Sequence, residues 1–237
     1  MMLVKNSRNP DNPYRLAKEC QIETLDDIYY QYFGNKTDGF FIEVGAFDGY
    51  NWSNTYGLAQ MGWSGILVEP QEEYANKCRA LYSNNPNIYV VECACGAFCG
   101  DVDLYFGGSL STTKAQVVDI YNSMEWSMIA GLDLARMITV EQRTLDFILG
   151  GIRFIIHPSL PLPRIDLLVI DVEGAELDVL RGLSMDLYAP RMFIIETHEN
   201  YPDERLNRKA KVINRYLRNL GYTKIHADTI NSIYWRE

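Results

Sequence analysis

No run in this chain reaches the ~18 apolar residues that a membrane-crossing helix needs, although 47% of its residues are hydrophobic. The opening MMLVKNSRNPDNPY is polar and lacks the apolar stretch and small-residue cleavage site of a secretory leader. Positive charge is also scarce. Twenty-two Lys and Arg against 31 Asp and Glu leave a net charge of −9, which counts against an extended nucleic acid, because phosphate binding wants a basic face. The five cysteines are an odd number, and Cys93, Cys95 and Cys99 in ECACGAFCG lack the paired C-x-x-C spacing of a zinc site. They read as small buried residues of a reducing cytoplasm, with Cys93 and Cys95 on one face of a strand. No repeat, low-complexity tract or linker divides the chain. What is left is a soluble cytoplasmic protein, long enough at 237 residues to bury one full α/β core.

Its apolar residues fall into short, near-continuous runs at 40–44, 65–69, 88–93, 165–171 and 191–197. Such runs describe strands buried on both faces, as in a parallel sheet. Helical periodicity separates them at 53–61, 72–83, 175–183 and 203–220, giving a βαβ alternation. The closing YTKIHADTINSIYWRE reads as a hairpin that adds antiparallel strands at one edge. Residues 1–38 read as an N-terminal arm with a helix over 25–33, and 39–237 as one domain. Its alternation is broken at 101–144 by an insertion that would lie over the strand ends.

The loop in FFIEVGAFDGYNWSNT sits where an open parallel sheet binds its ligand, beyond the carboxyl end of the first strand. Gly45 and Gly49 allow a tight turn and a close approach, and the following helix offers free N–H groups. An ordinary strand-to-helix turn would look similar. The second strand adds Glu69, in GILVEP, about twenty residues on, where a carboxylate holds a ribose diol. Together they favour an adenosine ligand. A dinucleotide wants glycine where Phe47 stands, so that backbone touches pyrophosphate. Phe47 therefore points to S-adenosylmethionine, with Glu43 facing its amino group. Small residues after the third strand, Cys93 and Ala94 among them, leave room for a flat adenine or simply pack the core.

GFFIEVGAFDGYNWSNTYGLAQMGWSGILVEP and IDLLVIDVEGAELDVLRGL resemble the FkbM family of S-adenosylmethionine-dependent methyltransferases, through a G-A-x-D-G loop, an S-N-T run and a D-V-E-G-A-E block in the same order. The resemblance implies a class I methyltransferase fold, Rossmann-like, with a mostly parallel sheet between helices. It implies cofactor contacts at Glu43, Gly45, Asp48, Gly49, Ser53 and Glu69, with Ala46, Pro70 and Asp171 beside them. It also implies methylation of a hydroxyl on a sugar, glycan or natural product.

In the strand order of that fold, Asp171 neighbours Glu196 and His198 on the adjoining strand, ~4.8 Å away. His198 is then the expected general base, with Asp171 and Glu196 beside it. A divalent cation on the acids is the lesser option, and Asp171 and Glu173 capping the next helix and orienting the methionine amino group is the plain one. Glu176 reads as an offset to that helix's dipole. His157 and His226 draw no role. Tyr and Trp in YNSMEWSMI fit either a substrate lid or a packed helix. Two other functional readings stay open: a cofactor-binding module that recruits a partner without catalysis, and a dinucleotide oxidoreductase.

Overall fold

The computed structural model describes residues 4–6, 9–125, 134, 136–156 and 164–237. The arm supplies β1 (Val4–Asn6), paired antiparallel with β2 (Arg15–Ala17), and α1 (Leu25–Phe33). The alternation follows as β3 (Phe40–Val44), α2 (Tyr56–Gln60), β4 (Ser64–Val68), α3 (Glu72–Leu81) and β5 (Ile88–Val91). Next come β6 (Ala94–Cys95), β7 (Gly100–Tyr105), α4 (Ala115–Asn122), β8 (Met137–Arg143) and α5 (Leu145–Ile156). The chain closes with β9 (Leu167–Ile170), α6 (Glu176–Arg181), α7 (Met185–Tyr188), β10 (Met192–Glu196), α8 (Glu204–Asn219), β11 (Thr223–Ala227) and β12 (Asn231–Trp235).

Seven strands form the central sheet in the order β11-β12-β10-β9-β3-β4-β5. Only β12 runs against its neighbours, β10 and β11. This is the class I methyltransferase order, and the closing hairpin lies at one edge. Every residue of β3 is buried, because a central parallel strand is covered on both faces. Phe40, Ile42 and Val44 pack into one core and Phe41 into the other. Beyond β3 the chain goes to β4 on one side, and β9 later pairs on the other. The order reverses there and opens a crevice at the carboxyl ends.

The arm is seated in the second core, where Tyr14 and Phe33 meet Trp63 with ring centroids 6.4 and 5.3 Å apart. Segment 101–144 forms most of a small sheet, β6-β8-β7, and carries α4. The expected strand at 88–93 stops at Val91, so Cys93 lies in the turn before β6 rather than on one strand face with Cys95. Both are buried, as is Cys78, whereas Cys99 is exposed. Among the described residues no helix is long and apolar enough to cross a membrane.

Candidate functional site

Glu43 ends up 3% exposed at the close of β3. Its carboxylate accepts from Ser53 Oγ at 3.0 Å, Asn54 N at 3.0 Å and Thr55 Oγ1 at 2.7 Å. Burial raises its pKa and these three bonds oppose the rise. The S-N-T run is thus tied to the strand, and α2 begins only at Tyr56, later than periodicity suggests. Three of about four carboxylate acceptor sites are used in this way.

The loop itself turns through left-handed backbone at Gly45, Phe47, Gly49 and Trp52. Asp48 accepts from Tyr50 N, Asn51 N and Asn51 Nδ2 and stiffens the turn. Phe47 N donates to Glu69 Oε2 at 2.9 Å, while Gln71 N and Nε2 donate to Glu69 Oε1. Burial pushes the Glu69 carboxyl up to about 7, against those bonds.

A cavity of about 330 Å³ opens over these residues. Its wall takes in Glu43, Gly45, Ala46, Ser53, Glu69, Pro70, Cys93, Ala94 and Asp171. Asp48 and Gly49 stand behind the wall and brace the loop, Gly49 through the bond from Tyr82 Oη to its carbonyl at 3.2 Å.

At the far end of the cavity the acids converge. Carboxylate oxygens of Asp171, Glu173 and Glu196 all lie within 4.8 Å of one another. Burial, with Glu176 next, pushes Asp171 up to about 7; burial, with Asp171 next, pushes Glu173 up to about 8. Burial also raises Glu196 well above the ordinary carboxyl range, and Glu173 and Asp171 add to it. One cation answers them from α8. Lys209 Nζ lies 2.9 Å from Glu176 Oε2 and 3.6 Å from Glu196 Oε2. Burial works against that ammonium, but Glu176 and Glu196 outweigh it and raise its pKa. Tyr121 of α4 donates to Glu173 Oε2, and Thr112 Oγ1 to the Glu173 carbonyl at 2.7 Å. His198 Nε2 is 3.6 Å from Glu196 Oε1, and burial depresses the imidazole to about 4, so the ring is neutral at physiological pH.

The sequence profile of the methyltransferase FkbM domain matches residues 43–224. The chain belongs to the FkbM methyltransferase family. Three solved structures are similar in outline. One is precorrin-6y C5,15-methyltransferase from Geobacter metallireducens GS-15, at 10% identity, 96% of this chain, 95% of that one and a TM-score of 0.47. Another is a SAM-dependent methyltransferase from Aquifex aeolicus, at 8%, 89%, 87% and 0.44. The third is monomeric WbdD, at 15%, 92%, 41% and 0.46, so this chain spans less than half of that protein. A search of curated proteins by sequence finds no match.

An FkbM methyltransferase domain uses S-adenosylmethionine, and the cavity suits it. Glu69 lines it with a carboxylate, and Gln71 Oε1 on the same wall is buried without a partner among the described residues. Small Cys93 and Ala94 leave room beside them. Of the residues expected to do chemistry, Asp171 lines the cavity; Glu196 and His198 stand outside the lining. Glu176 is fully buried and does more than meet a helix dipole, since its Oε1 accepts from Gly174 N at 2.8 Å and its Oε2 pairs with Lys209. His157 and residues 126–133, Trp126 included, lie outside the described residues.

Sequence reasoning missed Gln21 of the arm, Trp52, Gln71 and the polar turn at 108–113 as parts of the wall. Glu173, expected beside Asp171 at the start of the next helix, also lines it. Nothing local marks Gln21, whose Oε1 accepts from Asn231 Nδ2 at 3.0 Å.

Proposed function

We propose that this chain methylates a hydroxyl oxygen of a sugar, glycan or natural product. The observation that supports the reading is one cavity lined by Glu69 after β4 and by Asp171 and Glu173 after β9, on either side of β3. When bound, S-adenosylmethionine would supply a sulfonium-activated methyl group, on whose carbon an acceptor oxygen attacks in line as the S–CH3 bond breaks and S-adenosylhomocysteine leaves, so alignment provides much of the rate. Glu69 and Gln71 hold the ribose, while Cys93 and Ala94 flank the adenine. Asp171, on the wall, takes the hydroxyl proton. A carboxyl group held near neutrality by burial is matched to proton transfer around pH 7. Glu196 and His198 support Asp171 from behind, and neutral His198 leaves Lys209 as the described cation among these acids. Ser109 and Thr113 also line the cavity and bring hydroxyl groups to the acceptor, whereas Ser111 Oγ is bonded to Gly107 N and the Gly108 carbonyl.

The cluster of Asp171, Glu173 and Glu196 favours a second reading, in which these oxygens hold a divalent cation that acidifies the hydroxyl. Calorimetry with S-adenosylmethionine, followed by S-adenosylhomocysteine release with sugar, lipid and peptide acceptors, tests the proposal. No binding at millimolar cofactor sinks it; binding without turnover on any acceptor leaves a cofactor-binding module in its place.

A further inference from the structure

Helix α8 presents two opposite faces. Ala210, Ile213 and Leu217 are buried at 1% exposure or less. Arg208, Lys211, Arg215 and Arg218 are exposed, and their spacing of three, four and three residues places them in one stripe. At 1.5 Å per residue the stripe is about 15 Å long. Among the described residues none of the four stands within ion-pair distance of a carboxylate, whereas Arg205 and Lys209 of the same helix are paired with Asp203, and with Glu176 and Glu196. At the helix's end Arg236 donates to the Leu220 carbonyl at 2.9 Å and stacks over Tyr222. Arg164 acts on the same tyrosine. A chain with net charge −9 thus carries four exposed cations along one helix face, where Glu204, four residues before Arg208, is the acid of the same stripe.

We propose that this face docks on an anionic lipid surface. Among the described residues its one exposed large apolar side chain is Val212, at 51%, too little for the apolar centre that a protein partner would bury. The only aromatic on α8, Tyr216, is half buried, so no ring stands out between the cations for a base to stack on. A straight row of cations on a rigid helix instead matches a flat array of anionic headgroups, where attraction adds charge by charge and salt screens it. The attachment is peripheral. Arg164 precedes the start of β9, while Asp171 and the cavity lie past its other end. None of these cations lines the cavity, so the inference stands apart from the proposed methyl transfer.

The test is co-sedimentation of the full chain with vesicles of phosphatidylcholine alone or mixed with phosphatidylglycerol. We expect the bound fraction to rise at least about tenfold on the mixed vesicles at low salt and to fall as salt is added. The variant K211E/R215E/R218E should lose this binding while its circular dichroism is unchanged; R215Q/R218Q, if the triple variant misfolds, should weaken it. Equal binding to both vesicles, or undiminished binding by folded variants, overturns the proposal. So does binding to RNA without binding to vesicles. Inorganic phosphate that competes beyond an equal ionic strength of chloride also overturns it, by showing a discrete phosphate pocket.

Discussion

The carbonyl oxygen of Asp171 lies 1.7 Å from the point that a Cβ on Gly45 would occupy. The loop after β3 and the loop after β9 therefore touch through backbone, and Gly45 holds φ +85°, where side chains are strained. Gly45→Ala should cost on the order of 3 kcal/mol or more from strain and overlap together. A lower melting temperature without ligand, falling together with cofactor affinity, is the expected result. A side chain here meets backbone before it meets a ligand. Unchanged melting with binding lost would mean that it obstructs the ligand instead.

Glu69→Ala should weaken S-adenosylmethionine by about 1.5–3 kcal/mol, the range for a hydrogen bond to a charged group. It also frees Phe47 N and Gln71, so the loop loosens. Titration calorimetry decides, and affinity within a factor of two of the parent removes Glu69 from the ribose.

Lys209→Met leaves Glu176, fully buried, without its ion-pair partner. Breaking such a pair from one side costs about 3–5 kcal/mol. Urea unfolding should show it; a loss below about 1 kcal/mol would mean that the acids shed their charge at no cost.

The pH dependence of stability follows from raised carboxyl groups. Glu69 and Asp171 sit near 7 and Glu173 near 8 in the folded chain, against 4.5, 3.8 and 4.5. The folded state holds these protons more tightly, so this stability is complete below the unfolded values and is lost as pH rises through the folded ones. His198, depressed from 6.5 to about 4, acts oppositely, but only below 6.5. From pH 6.5 to about 8.5 the ligand-free protein should therefore lose melting temperature. Glu196→Gln, which removes one of the crowded acids, should flatten the slope.

Asp171→Asn should lower turnover by about 10²–10⁴-fold, the usual range for a lost proton acceptor. His198→Ala should do less, because the ring lies outside the cavity lining. Initial rates with and without EDTA separate the two readings of the acids. Inhibition that magnesium reverses would move the chemistry to a cation.

The sheet was readable because its strands are buried on both faces, which leaves unbroken apolar runs. Helix α5 was not, although Leu145, Ile148, Leu149 and Ile152 carry a buried helical spacing; Gly150 and Gly151 disguise it. Glu43 shows a different limit. Its acid was legible, but its three donors come from a run ten to twelve residues on, and no local pattern says that they turn back to it. Lys209 was hidden in a basic helix, where one cation of several points inward.

The family match opens at Glu43, the fourth residue of β3, yet much that steadies β3 lies earlier. Gly57 of α2 lacks a side chain because the Arg15 carbonyl would stand 1.5 Å from its Cβ. Tyr29 Oη donates to the Asn54 carbonyl at 2.9 Å, and Trp63 Nε1 to that of Lys36 at 3.0 Å. A chain trimmed to the recognisable region would lose half a strand, uncover an aromatic cluster and remove Gln21 from the cavity. The contacts that hold the loop after β3 extend beyond the stretch that the family profile matches, so kinship by profile is written on a shorter stretch than the packing around it.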